Sequence, residues 1–286
     1  MIPLFPFDAK SYFEPSEGQS EIIEDNLYLN YTLVDKKIIS APSASFGGLY
    51  FADAIIKKLC FLKATDLLKK LTNKIADKHR EAQTLVLRLA PSVYYDRVQI
   101  EFFQAVLEYA NFRRYGEVTM ILECNQYSPA PALLRNIKKA RSNGLIVKSA
   151  PVMECFDKLA EIKHAKGYFF GMDREKFYLQ VSKFPKYYGC HIATSENGCM
   201  EAGLIFLNIS YGKLFLAWDQ TQIGKNFRAT DYIIDKTIAL AQREGSRFID
   251  LGTVTDSGLL RGGLVRHKQK FSSIAQVRNT YVCALR

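Results

Sequence analysis

The sequence predicts an α/β protein, α+β in its strand order. It is built as two domains of one topology, each a mixed, mostly antiparallel sheet flanked by helices. Three observations carry this. Strand-like runs alternate with helical ones along all 286 residues, a length that accommodates two cores. The halves also echo each other: KKIISAPS stands before a helix and TLVLRLA, as GKLFLAWD stands before a helix and RFIDLGT. Finally, ADKHREAQTLVLRLA parallels ALAQREGSRFIDLGT, down to the steps Arg80–Glu81 and Arg243–Glu244, and EVTMILECN answers AQVRNTYVCAL. The domains are expected over 1–149 and 150–286.

Residues 1–25, polar and acidic around EPSEGQSEIIED, read as a lead-in with little core. LYLNYTLVDKKIIS alternates through an Asp-Lys-Lys turn, the pattern of a β-hairpin. In APSASFGGLYF the small residues Ser43, Ser45 and Gly47 let the backbone approach either another segment or a ligand. A helix from Ala64 to Glu81 places Leu67, Leu68, Leu71 and Ile75 on one face. TLVLRLA is a buried strand, a second helix follows within PSVYYDRVQIEFFQAVLEYANFRRYG, and EVTMILECN is the next strand. Proline opens and Gly144 stops a helix from Ser128, whose Arg135, Lys138, Lys139 and Arg141 crowd one end. Those cations either form a solvated face that complements the helix dipole or meet a polyanion. Helices over Pro151–Lys166 and Asp173–Lys183 precede an antiparallel meander that turns at SENG and SYG.

The stretch Trp218–Phe271 organises the second half: strand end, polar loop, long helix, buried strand, Gly-rich turn, basic helix. Ile233, Ile234, Thr237, Ile238 and Ala241 make one apolar stripe, Asn226 or Thr230 caps its start, and Gly245 follows its end. The loop Gln220–Arg228 would bring backbone N–H groups, Lys225 and Arg228 to a helix N-terminus, where an anion sits well. Asp250 is a carboxylate in an apolar strand, so it needs a partner, such as Arg247 or Arg261, or a chemical task.

Hydrophobic residues make up 48% of the chain and charged ones 24%, the balance of an ordinary globular protein. Apolar stretches such as GLYFADAII break well short of the roughly 20 residues of a membrane-spanning helix. MIPLFPFDAK has two prolines, an early Asp and no basic region before an apolar run, unlike a signal peptide, so a cytoplasmic location is expected. Six scattered cysteines without a CxxC pair, and four histidines not spaced as ligands, read as reduced thiols with no metal site. Cys190 and His191 are strand neighbours, which point to opposite faces and cannot cooperate as nucleophile and base. The net charge of +10 favours RNA, an anionic membrane face or a phosphate-rich cofactor, unless the protein is simply basic.

The ordered set from Trp218 to Phe271 resembles the second half of FemAB-like acyltransferases, relatives of the GNAT superfamily. That pattern ends in Gly-Leu followed by Lys-x-x-Phe, here Gly263, Leu264, Lys268 and Phe271, with Ser272 where the family usually has glycine. LLRNIKKARSNGLIV is similar to the basic helix that joins the two halves of such proteins. The resemblance implies two tandem GNAT-like domains and a donor bound where neighbouring strands splay apart. A coenzyme A pyrophosphate would sit on the following helix N-terminus, where QIGKNF keeps only Gln222, Gly224 and Lys225 of the usual signature. FemAB-like members lack that signature too, and the resemblance then implies an aminoacyl-tRNA donor.

The reaction that the resemblance implies moves an acyl or aminoacyl group onto an amine of a small-molecule or peptide-like acceptor, with acyl-CoA or aminoacyl-tRNA as donor and no metal expected. It needs oxyanion stabilisation, about 3 kcal/mol per good donor, and a group that takes a proton from the amine. Asp219 and Asp250 are the candidate catalytic carboxylates. Gln222, Gly224, Lys225, Asn226, Arg228 and Lys268 are the candidate donor and phosphate ligands, and Ser43, Ser45 and Gly47 the acceptor ligands. Each has a plainer reading: a turn residue at Asp219, a paired structural carboxylate at Asp250, surface charge at the lysines, tight packing at the small residues. Two rival functions remain, a FemAB-type aminoacyl-tRNA-dependent peptidyltransferase and a non-catalytic nucleic-acid- or ligand-binding protein that reuses the fold.

Overall fold

The computed structural model describes residues 19–40, 48–52, 55, 58–94, 97–209, 211–256 and 259–285. Ser43, Ser45 and Gly47 lie outside the described residues. The chain forms two compact units, 1–118 with 276–286, and 119–275.

In the first unit β1 (Gln19–Ile23), β2 (Leu27–Val34), β3 (Lys37–Ser40) and β4 (Leu49–Phe51) precede helix α1 (Phe61–Lys78). After α1 come β5 (Thr84–Arg88), α2 (Arg97–Tyr109) and the start of β6 (Arg113–Glu123). The β2–β3 hairpin turns at Asp35 and Lys36, both with positive φ, as a two-residue hairpin turn requires. The alternation in this stretch is therefore a hairpin, as expected, whereas β1 stands where little core was expected. α1 lays Ala64, Leu67, Leu68, Leu71 and Ile75 on β5 and on the end of β14 (Ile274–Ala284), where Leu85, Leu87, Tyr281 and Cys283 are buried with them. Strand order here is β1-β2-β3-β5-β14-β6, with β3–β5 parallel and β5–β14 antiparallel.

The second unit starts with the end of β6 and continues through α3 (Pro131–Ser142), β7 (Ile146–Ser149), α4 (Val152–Ala165) and α5 (Arg174–Lys183). The meander is β8 (Tyr188–Thr194), β9 (Met200–Ile209) and β10 (Gly212–Gln220). Then follow α6 (Gln222–Phe227), α7 (Ala229–Arg243), β11 (Phe248–Thr253), the small β12–β13 hairpin (Thr255–Asp256, Leu259–Leu260) and α8 (Gly262–Gln269). Strand order is β6-β11-β10-β9-β8-β7, antiparallel except for the β10–β11 pair.

Each unit thus shows a hairpin, a helical crossover, a parallel partner and one antiparallel strand beyond it. That last strand comes from the other half of the chain: β14 pairs with β5, and β6 with β11. The expected division at 149/150 falls inside the second unit, because α3 packs on α7 and β7 pairs with β8. Among the described residues no helix is long and apolar enough to cross a membrane.

Candidate active site

β10 and β11 pair only from Gly212 opposite Phe248 to Leu214 opposite Asp250. Past that point each strand is irregular against its other neighbour, β10 between Phe215 and Ala217, β11 between Asp250 and Thr253. An extra residue bends a strand and raises its twist, so the two strands part at Asp250. Gly252, just beyond, holds φ +78°, a conformation glycine adopts without penalty.

Lys268 of α8 reaches into this opening. Its Nζ donates to Gly252 O at 2.9 Å and Thr253 O at 3.0 Å, and lies 5.3 Å from the centre of the Trp218 ring. The residue is only 2% exposed. Its ammonium is drawn inward to β11, against the plainer reading of this lysine as surface charge. Burial pulls its pKa down from 10.5 to about 8, against the opposing charge of Asp250. Asp250 is buried too, and its Oδ1 accepts from Thr119 Oγ1 (2.9 Å) and Gly252 N (2.7 Å). α8 is anchored by fully buried Phe271, and the chain then turns through Ser272 at φ +60°. Ser272 Oγ donates to Ser128 O and accepts from Ser128 N, which supports the left-handed backbone.

Asp219 belongs to the other face of β10. It pairs with Lys163 of α4 (3.5 Å) and with Lys166 at the helix's C-cap (2.6 Å), and accepts from Gln220 N. Adjacent strand residues alternate in direction, so Trp218, not Asp219, meets Lys268. The structure therefore brings Asp250, Lys268 and Trp218 together and ties Asp219 to a helix.

The stretch expected as a loop is mostly helix α6, because Thr221 caps it: Thr221 Oγ1 accepts from Gly224 N at 2.9 Å. Thr221 Oγ1 in turn donates to the carboxylate of Glu201, which is buried in β9 and also accepts from Ser195 Oγ at 3.1 Å. A Cβ on Gly224 would come within 2.2 Å of Glu201 O, so this glycine serves the packing of α6 on β9. Gln222, Lys225 and Asn226 are exposed, and Arg228, at φ +66°, ends α6 and leads into α7. At the start of α7, Thr230 N donates to Gln220 Oε1 at 2.9 Å. One N–H at each helix start, Gly224 N and Thr230 N, is thus already engaged, with a carboxylate beside the first.

Trp218, Thr119, Thr221 and Glu201 were not among the expected site residues. Glu201 carries a legible signal, a lone charge at the head of the apolar run AGLIFL. Thr119 carries none, since its role depends on pairing across 131 residues. Cys190 Sγ donates to Ala150 O, while His191 Nδ1 shares a hydrogen bond with Thr237 Oγ1 of α7 at 2.7 Å. The two do point to opposite faces, and burial takes the His191 pKa down to about 4. Among the described residues no group of three His, Cys, Asp or Glu is placed to hold a metal ion.

Solved structures share this fold. The C-terminal DUF2156 domain of a putative lysylphosphatidylglycerol synthetase from Agrobacterium fabrum superposes with TM-score 0.66 at 11% identity, covering 96% of this chain and 87% of that one. FemX superposes with TM-score 0.65 at 11% identity, covering 96% and 89%. The fold is FemAB-like, of the GNAT type. L-PGS from Bacillus licheniformis carries it as well, with TM-score 0.64 at 10% identity over 98% of this chain and 93% of that one. No protein-family model matches the sequence, and no curated protein does.

Proposed function

We propose that this chain is a FemAB-type transferase that moves an aminoacyl group from a tRNA ester to an amine. The observation that carries the choice of donor is the state of the α6 and α7 N-termini. A coenzyme A pyrophosphate needs free N–H groups and no nearby negative charge. Here Thr221 and Gln220 occupy Gly224 N and Thr230 N, and Glu201 lies against the cap. An aminoacyl ester needs no such cradle, because its phosphates lie away from the reacting carbon. The name of one structural neighbour, the C-terminal domain of a putative lysylphosphatidylglycerol synthetase, agrees with an aminoacyl cargo.

In this reading the ester carbonyl enters the opening between β10 and β11. The amine adds to the carbonyl carbon, the ribose oxygen leaves with a proton, and the nitrogen gives one up. The Lys268 ammonium supplies positive charge to the oxyanion and is held in place by Gly252 O and Thr253 O. Asp250 acts through Lys268: its neighbouring charge favours the ammonium. Thr119 and Gly252 N fix that carboxylate.

The test is transfer of radiolabelled amino acid from a total charged tRNA pool to fractionated amine-containing acceptors. Wild type should transfer label, and Lys268→Ala should lower the rate by about 100-fold or more, the cost of losing one oxyanion donor. Label moved from acetyl-CoA but never from charged tRNA would reject the reading.

A further inference from the structure

The two faces of the second unit treat their cations differently. On the face carrying α4 and α5, Lys158 pairs with Glu161, Lys163 and Lys166 with Asp219, and Arg174 with Asp157. On the face carrying α3 and α7 the pattern reverses. Arg135, Lys138, Lys139 and Arg141 of α3 are all exposed, and among the described residues none has a carboxylate within ion-pair distance. Lys148 at the sheet-edge strand β7 and Arg243 of α7 are exposed too, and Lys236 of α7 is half-buried, again without a carboxylate within ion-pair distance among the described residues. The acids of α7 turn elsewhere, Asp231 to Asn136, His267 and Lys270, and Asp235 to Tyr127. One acid of the β8–β9 turn, Glu196, lies against Gly144 at the margin.

These cations gather around one feature. Arg141 and Lys236 both lie over the Tyr232 ring, at 5.7 and 5.8 Å. Beside that ring runs a groove of about 300 Å³, lined by Leu145, Val147 and Leu240, with Lys236 and Arg243 also in its wall. The second unit also holds most of the charge surplus, with 22 Lys and Arg against 14 Asp and Glu, compared with 17 against 15 in the rest of the chain.

We infer that the α3–β7–α7 face binds the phosphodiester chain of RNA, with one splayed nucleotide seated in the groove. Unpaired cations spread over three elements match a backbone of regularly spaced phosphates. Within the apolar lining Leu145 is buried and Val147 and Leu240 are half-buried, while Ile146 is exposed at the rim. A flat lipid surface would reach the cations and Ile146 but not the inner lining, whereas a base turned out of a single strand reaches all of them, which favours a nucleic acid over a bilayer. This surface rests on the reading of a tRNA ester as donor and says where that RNA is held.

Fluorescence anisotropy of the full chain with labelled single-stranded oligo(A) RNA, competed by total tRNA, tests it. Wild type should bind at low salt with a steep salt dependence. The variant Arg141→Gln/Lys148→Gln/Lys236→Gln/Arg243→Gln should lose at least tenfold in affinity, and its log–log salt slope should flatten by roughly 2 to 3. Lys158→Gln/Arg174→Gln, from the other face, should bind as wild type, and melting curves should show all three folded. Equal RNA binding by the α3–β7–α7 variant, or phosphatidylglycerol vesicles captured by a chain that ignores RNA, would overturn the inference. Failure of the functional reading looks different: RNA would still bind here, but no label would leave charged tRNA.

Discussion

At the scale of single residues, Lys268 decides most. Its folded pKa of about 8 lies below the ordinary 10.5. Below pH 8 both native and unfolded chains hold the proton, and the native state bears the cost of a buried ammonium, about 3 kcal/mol. Between pH 8 and 10.5 the unfolded chain binds a proton that the native chain has released, so stability rises with pH through that window. Urea midpoints of wild type should therefore gain on those of Lys268→Met between pH 7.5 and 10. Activity should run the other way. Transfer by wild type should fall above pH 8 as the ammonium is lost, while Lys268→Arg, slower but always charged, should hold its rate. A pH-independent wild-type profile over pH 7–10 would remove the ammonium from the chemistry. The residue was legible as the Lys of Lys-x-x-Phe, but its burial was not. Only the divergence of β10 and β11 makes room for it, and that divergence comes from irregular pairing with β9 and β6. Ser272 shows the reverse case, a position where glycine would be expected for its left-handed turn and a serine holds it.

Among the elements, α6 carries the choice of donor. Thr221→Ala removes a helix cap, worth about 1 kcal/mol, and takes a partner from buried Glu201, at a further 1–3 kcal/mol or so. Thr221→Ser should keep most of both, so melting temperatures should rank wild type, Ser, then Ala. Gly224→Ala should also destabilise, by about 1–3 kcal/mol, because its Cβ would meet backbone and not a flexible side chain. A Gly224→Ala protein as stable as wild type would contradict the close packing of α6 on β9. Long periodic helices such as α1 and α7 were legible from their apolar stripes. QIGKNF gives no helical signal because six residues with a glycine show no period, and β7 gives no strand signal because four residues after a helix stop carry too little alternation.

For the whole chain, the exchange of last strands between the two halves governs what can be cut away. A fragment 119–275 keeps the end of β6 beside β11 and α3 against α7, and should melt in one cooperative transition. A fragment 150–286 lacks both and should not, as circular dichroism melts would show; cooperative melting of the shorter piece alone would contradict the division. The internal repeat was readable because equivalent strands share a pattern. Which half supplies the final strand was not, since β6 and β14 are alike in sequence character and only long-range pairing assigns them.

The measurement that bears most directly on donor choice is calorimetric binding of coenzyme A and of aminoacyl-tRNA to the same preparation. An aminoacyl-tRNA donor requires binding of the charged tRNA, weakening as salt rises, and no saturable heat from coenzyme A or acetyl-CoA at millimolar concentration. Micromolar binding of coenzyme A that is abolished by blocking the α6 N-terminus, with no binding of aminoacyl-tRNA at low salt, would contradict it.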